Sequence, residues 1–570
     1  MDRLRTRGLA SAPNLSGAFR MSIRLTRRAA LVSSVAGAAT LPSTGWAQAA
    51  ANDAASLADQ VDAYVKRVMA GFPDQPAVSV AVVKDGRTVL TRGYGVRAIG
   101  GAAVDEHTLF AIASNTKAVT CAALAILIDE GKVKWDEPVR TYLPGFSLSK
   151  PELNDMVTVR DLVSHRIGFG LGAGDLLFWP NSDRTRAEIM AAVPHVPIED
   201  TFRTTYHYCN LMFVVAGEVV AAASGLSWEN FVQTRILDRL GMTETLPLMT
   251  GADPAKSALP HGRVGPPLRY QGAMQTIGQS IQEVWNWSSA GAAGGFVSNP
   301  VDWAKWIAVQ LARGELPDGT RLYSEARANE MWRPNIIISN SAGPTETLPG
   351  RAIASTYATG WQVQDYRGER MITHGGGAPG YVSGTVLIPG RNAGFSYFTN
   401  AEESFLTRAL RSGITDIVMG HQNGGKAGFD WVADGVRLQA EGDAKSVAAA
   451  AEIDAQQTGG APPSLPMAAY AGTWVDPWYG DIAVHVRNTG RGRRRATGLW
   501  LAFSRTPALN GLLEPYDGET MRTRFPDKRE EDLFITFVVE NGRPVRATMK
   551  AVSPDADFSY DYHDLRLTKV

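Results

Sequence analysis

The chain has 570 residues, with 57 Lys plus Arg balanced by 57 Asp plus Glu, so its formal net charge is zero. That length favours more than one domain, and the charge balance gives a polyanion such as nucleic acid no electrostatic support. No fixed-period repeat is present. Only Cys121 and Cys209 occur; buried free thiols suit both, and a pairing between them stays open.

In chain order, residues 21–28 are basic, and Thr26-Arg27-Arg28-Ala29-Ala30-Leu31 resembles a twin-arginine export signal. The apolar run 29–41 is too short to span a bilayer, and Ala47-Gln48-Ala49 suits signal cleavage. This predicts a start at Met21, export to a bacterial periplasm and a mature chain from about Ala50. A basic tail on a cytoplasmic protein is the alternative. Residues 78–83 and 88–94 alternate around Asp85-Gly86, a hairpin signal.

Ser114-Asn115-Thr116-Lys117 then precedes an apolar stretch, 118–128, that ends at Gly131. A stretch apolar on every side predicts a buried helix. Serine and lysine three apart at its start share one face, so a basic group stands where it can take a hydroxyl proton. Ser114 as an N-cap, with Lys117 reaching solvent, is the competing reading. The spacing recurs at Ser147-Leu148-Ser149-Lys150, flanked by Pro144-Gly145 and Pro151, where it predicts a loop with a solvated lysine. Tyr208-Cys209-Asn210 opens a second apolar helix, 211–223, and Asn210 also suits an N-cap. Strands are expected at 371–374, 381–388 and 394–399, the first running into His374-Gly375-Gly376-Gly377, whose glycines admit a ligand close to the backbone. Three loop-rich regions, 168–183, 251–289 and 335–356, are placed as a roof. Phe178, Trp179, Trp285, Trp287 and Tyr381 are candidate lining aromatics, with ordinary packing the competing reading. A helix at 429–453, a Gly/Pro linker at 456–466 and short alternating strands from Met467 complete the chain.

Taken together, Ser114-x-x-Lys117, Tyr208-x-Asn210 and His374-Gly375-Gly376 resemble the serine beta-lactamase and penicillin-recognising superfamily. The class C-like branch of esterases, D-amino-acid peptidases and DD-peptidases is the most similar. The resemblance covers about residues 61–420, and Tyr470-Ala471-Gly472-Thr473-Trp474 resembles the start of a lipocalin-like domain that trails some members. It implies an α+β fold: an antiparallel sheet flanked by helices, a helical subdomain, and a small all-β C-terminal barrel. The expected divisions are an export segment at 1–49, a hydrolase domain at 50–425, a helix and linker at 426–466, and a barrel at 467–570.

By the same resemblance, Ser114 is the acylated nucleophile, Lys117 its partner and Tyr208 the general base. Asn210 orients substrate or the lysine, His374 lies near the substrate carboxylate or the tyrosine hydroxyl, Gly375 and Gly376 face substrate, and the Ser114 and Gly377 N–H groups form the oxyanion hole. Tyrosine and lysine each need a shift of roughly 3 pH units to act as base near neutrality. An ammonium about 4 Å from a phenolate supplies roughly 4 kcal/mol at an effective dielectric near 20, enough for a tyrosinate. Histidine where many beta-lactamases carry lysine is mostly neutral at pH 7, which removes a fixed anchor for a substrate carboxylate. The reading is therefore a serine hydrolase of a small ester, amide or peptide, with esterase or D-amino-acid peptidase ahead of beta-lactamase or DD-peptidase. A non-catalytic cell-wall-binding protein is the rival of another class. No metal or cofactor, no nucleic acid and no stable membrane span are expected; oligomeric state is left open. His165, after the short helix 160–164, reads as structural.

Overall fold

The computed structural model describes residues 43–266, 268–421, 428–489 and 496–570. Residues 1–42, which hold the twin-arginine-like stretch, lie outside the described residues. The first helix, α1 (Ser43–Gly71), includes Ala47-Gln48-Ala49. Residues from Ala51 to Val570 form one compact unit.

Eight strands form one antiparallel sheet. They are β1 (Ala77–Lys84), β2 (Arg87–Gly95), β3 (Ile336–Asn340), β4 (Ala354–Tyr357), β5 (Gln362–Tyr366), β6 (Glu369–Ala378), β7 (Tyr381–Ile388) and β8 (Ala393–Thr399). Their order across the sheet is β2-β1-β8-β7-β6-β5-β4-β3, so strands from the two ends of the domain meet where β1 pairs β8. The hairpin between β1 and β2 turns on Asp85 and Gly86, both at positive φ (51° and 74°), the geometry a two-residue hairpin favours.

Strand alternation sends β1 side chains to two apolar layers. Val78, Val80 and Val82 join the layer built with α1 and α5 (Ser404–Val418). Ala77, Ala81 and Val83 join the larger core on the opposite face. That core holds α2 (Thr116–Asp129), α3 (Leu211–Ser224) and α4 (Pro300–Leu311). Every residue of α2 from Thr116 to Leu127 is buried. Gly131, at φ 71°, ends the helix while the Lys132 N–H returns to the Leu127 carbonyl at 2.9 Å, closing the last turn.

Two expectations are corrected. Region 335–356 supplies β3 and β4 rather than loop alone, widening the sheet. The linker expected from 456 begins later, because α6 (Trp431–Gly459) runs on, its Asp454 held by Arg522 of the barrel at 2.7 Å. From Gly472 to Lys569, eight antiparallel strands close into a barrel. Among the described residues no single helix is long and apolar enough to cross a membrane.

Candidate active site

Ser114 is half-buried in a single 3-10 turn, Ala113–Asn115, that feeds α2. The residue before it, Ala113, takes φ 47°, a left-handed conformation that costs a non-glycine residue about 1–2 kcal/mol. The Thr116 hydroxyl secures the turn by donating to the Ala113 carbonyl at 2.6 Å. Ser114 therefore precedes the helix rather than capping it.

Lys117 is fully buried and has three oxygen neighbours. Its Nζ lies 2.9 Å from Ser114 Oγ, 2.6 Å from Asn210 Oδ1 and 2.7 Å from the Ala293 carbonyl. An ammonium satisfies all three as donor. A neutral amine donates to Asn210 and Ala293, both acceptors here, and offers its lone pair to the Ser114 hydroxyl. Burial brings the Lys117 pKa down to about 7, against an opposing pull from Asp175. The solvated-lysine reading is excluded.

Asn210 occupies the N-cap position of α3 but makes no cap bond. Its amide bridges two buried groups, accepting from Lys117 and donating to Asp175 Oδ2 at 2.8 Å. Burial pushes the Asp175 carboxyl up to about 7, while the hydrogen bond from Asn210 and the charge of Lys117 oppose the rise. Asp175 was not singled out in the sequence, because it belongs to no spaced motif.

Tyr208 presents its hydroxyl to Ser114, and burial holds its pKa well above the usual tyrosine value. Lys117 Nζ lies over the ring, 4.8 Å from its centroid. The burial that raises the phenol pKa favours a protonated Tyr208 over the expected tyrosinate. His165 packs beneath it, ring centroids 4.2 Å apart, and its Nδ1 accepts the Cys209 N–H at 3.1 Å.

His374 is buried, with Nε2 2.9 Å from the Tyr357 hydroxyl and Nδ1 2.6 Å from the Gly375 carbonyl. The carbonyl only accepts, so Nδ1 carries the proton and Nε2 accepts from Tyr357. Burial, aided by Lys117, brings the His374 pKa down to about 3. The ring is neutral and both nitrogens are engaged, so it offers substrate no charge.

Beyond it, β6 lies against the Ser114 turn. A Cβ on Gly376 would fall 2.3 Å from the Ile112 carbonyl and 3.0 Å from Ser114 N, so only glycine allows this approach. Gly377 faces open space and pairs across from Val382. Asn115 ties the turn to β7: its amide donates to Ser383 Oγ at 2.8 Å and its carbonyl accepts from Thr385 Oγ1 at 2.7 Å. These partners, and the Ala293 carbonyl, were invisible to motif spacing.

Other candidates fall elsewhere. Lys150 of the duplicate spacing pairs with Asp200 at the surface. Phe178, Trp179, Trp285 and Trp287 form a buried cluster, with the last two 4.7 Å apart, and buried Tyr381 donates to the Ala258 carbonyl at 2.7 Å. Cys121 and Cys209 are free, buried thiols.

Residues 65–416 match the family model described as Beta-lactamase, and residues 456–569 match a domain of unknown function, DUF3471. The chain is 32% identical over 340 residues to the unguisins hydrolase ungD' of Aspergillus campestris (strain IBT 28561), covering 58% of this chain and 59% of that relative. It thus spans less than two thirds of that relative's length. Penicillin-binding protein 4 of Amycolatopsis lactamdurans is 28% identical over 352 residues, 59% of this chain and 84% of the relative. Among solved structures, the D-amino acid amidase of Ochrobactrum anthropi SV3 complexed with L-phenylalanine amide aligns with TM-score 0.52 at 22% identity. That alignment covers 65% of this chain and 99% of the amidase, a likeness of fold. With the family model spanning more than half of the sequence, the chain belongs to the beta-lactamase family.

Proposed function

We propose that this protein is a serine hydrolase that acylates Ser114, acting on small esters or amides of the esterase or D-amino-acid peptidase type. The observation that carries the reading is the buried Lys117 amine, 2.9 Å from Ser114 Oγ, with its other two contacts to the Asn210 side-chain oxygen and the Ala293 carbonyl. Deprotonated Lys117 takes the Ser114 proton as Oγ attacks the substrate carbonyl carbon. The Ser114 and Gly377 N–H groups receive the charge on the carbonyl oxygen. The leaving alkoxide or amine takes its proton from the Lys117 ammonium through the Tyr208 hydroxyl. Water then attacks the acyl-enzyme by the same route, releasing the acid and restoring Ser114. The neutral, fully engaged His374 favours an uncharged ester or amide over a carboxylate-anchored beta-lactam.

Two measurements test this. A fluorophosphonate adduct mapped by mass spectrometry should sit on Ser114, and no adduct there would remove the enzyme reading in favour of a binding protein. A panel of short-chain nitrophenyl esters, D-aminoacyl anilides and a chromogenic cephalosporin should favour the first two; fast cephalosporin turnover with inert esters would reverse that order. We also infer export to a bacterial periplasm from Thr26-Arg27-Arg28 and the apolar run behind it. Replacing both arginines by lysine should hold the unprocessed chain in the cytoplasm of an expressing bacterium.

A further inference from the structure

The connection between the last two barrel strands, residues 552–565, reaches back into the hydrolase domain beside Tyr208. The Phe558 ring lies 5.6 Å from the Tyr208 ring, and a Cβ on Gly172 would meet the Phe558 carbonyl at 2.5 Å. Fully buried Asp561 accepts the Gly174 N–H at 2.6 Å and the Leu176 N–H at 3.1 Å. Those two residues flank Asp175, so the Asp561 carboxyl of the barrel grips the short turn that presents it. From the same connection, Ser559 lies near the Asp175 carboxyl, whose Oδ1 has no hydrogen-bond partner among the described residues.

Asp175 in turn decides which way Asn210 points. When Asp175 is ionised and Lys117 protonated, the amide satisfies both only with its NH2 toward Asp175 and its oxygen toward Lys117, the orientation seen here. A flipped amide would set two donors against each other at Lys117. Resting on the Ser114 reading, we propose that Asp175 is a positioning residue for Lys117, acting through Asn210, and that the barrel segment 552–565 belongs to the catalytic apparatus because it holds Asp175 in place.

The groups facing Lys117 are Asp175, Cys121, Cys209, Tyr208, His165 and His374; those facing Asp175 are Lys117, Cys209, Tyr208, Asp557 and Asp561. A carboxylate at Asp175 favours the protonated lysine, so neutralising it makes Lys117 surrender its proton at lower pH. Replacing Asp561 by Asn leaves one of the Gly174 and Leu176 N–H groups facing a donor, which loosens the turn that presents Asp175.

The test is the pH profile of Ser114 acylation by p-nitrophenyl acetate and by a fluorophosphonate in the full chain. Wild type should gain activity as pH rises through about 7. Asp175→Asn should move that rise down by about one pH unit and lower the plateau about tenfold through loss of Asn210 orientation. Asp561→Asn, which loosens the turn presenting Asp175, should lower the plateau by a smaller factor. Coincident profiles for all three proteins, whatever their melting temperatures, would overturn the proposal and leave Asp175 purely structural. If Asp175→Asn does not fold, the Asp561→Asn profile alone decides. Absence of a Ser114 adduct in wild type would instead fail the hydrolase reading.

Discussion

An ammonium taken out of water costs several kcal/mol unless it is paired, and Lys117 has no carboxylate among its hydrogen-bond partners. Its depressed pKa has a consequence for folding that can be signed. An unfolded chain holds the Lys117 proton up to about pH 10.4, whereas the folded chain releases it near 7. Between those values the unfolded state binds more protons, so stability rises with pH across this window; below pH 7 the whole penalty is present. It amounts to roughly 4 kcal/mol, set against two acceptors, Asn210 Oδ1 and the Ala293 carbonyl, orphaned by an apolar replacement at about 1–3 kcal/mol each. Lys117→Met should therefore abolish Ser114 labelling while melting at pH 6 within a few degrees of wild type or above it. A large loss of stability at pH 6 would show that Lys117 is held for structure. Ser114 and Lys117 were legible because one helical turn forces their spacing, and Tyr208 and Asn210 because they stand together just ahead of an apolar helix. Asp175 and Asn115 were not: their importance comes from what burial brings against them, which no local pattern records.

At the scale of elements, the site is a contact between a helix start and the end of β6 that pairs with β7 but runs past its pairing with β5. The Ser114 turn lies on β6 through Gly376 and is stitched to β7 by Asn115, Ser383 and Thr385. Trp303 of α4 adds a bond from its indole to Thr385 Oγ1 at 2.8 Å, so the helix behind the sheet also fixes the turn. The glycines of β6 differ in what they permit. A methyl at Gly376 collides with the Ile112 carbonyl and Ser383 Oγ, at 2.3 and 2.5 Å, whereas at Gly375 its nearest neighbour is the Ser383 carbonyl at 3.7 Å. Gly376→Ala should cut acylation by at least tenfold and destabilise by about 1–3 kcal/mol, while Gly375→Ala should fold and label like wild type. Equal behaviour of the two, read by adduct formation and denaturant unfolding, would mean that the close approach is dispensable. The sequence announced β1, β6, β7 and β8 by their apolar runs and turn residues. It concealed β3 and β4, whose residues are mostly half-buried or exposed and so carry little of the alternation that marks a strand.

Across the whole molecule, the barrel is packed into the hydrolase domain rather than strung behind it. One apolar core runs from α2 into the barrel interior, and Trp179 meets Tyr560 with ring centroids 6.0 Å apart. Arg505 reaches Asp183 and Glu188 at 2.5 and 2.9 Å. Nothing local in the sequence announces these contacts, because their partners lie hundreds of residues apart along the chain. The same seam gathers carboxyls around Arg269: its guanidinium lies 2.7 Å from Glu402, and Glu531 also faces it. Glu531 is 2% exposed, and burial lifts its pKa to about 7 against the pull of Arg269, with Asp532, Glu402 and Asp557 adding to the rise. An unfolded glutamate ionises near 4.3. Between about pH 4.3 and 7 the folded chain therefore holds more protons, and this group's contribution to stability is lost as pH rises through that window. Above pH 7 the penalty approaches roughly 4 kcal/mol. Glutamine keeps the shape and never ionises, so Glu531→Gln should stabilise the full chain against denaturant at pH 8, by up to that amount, and leave it little changed at pH 5. An equal effect at both values would mean that Glu531 stays ionised in the fold, its charge fully met by Arg269.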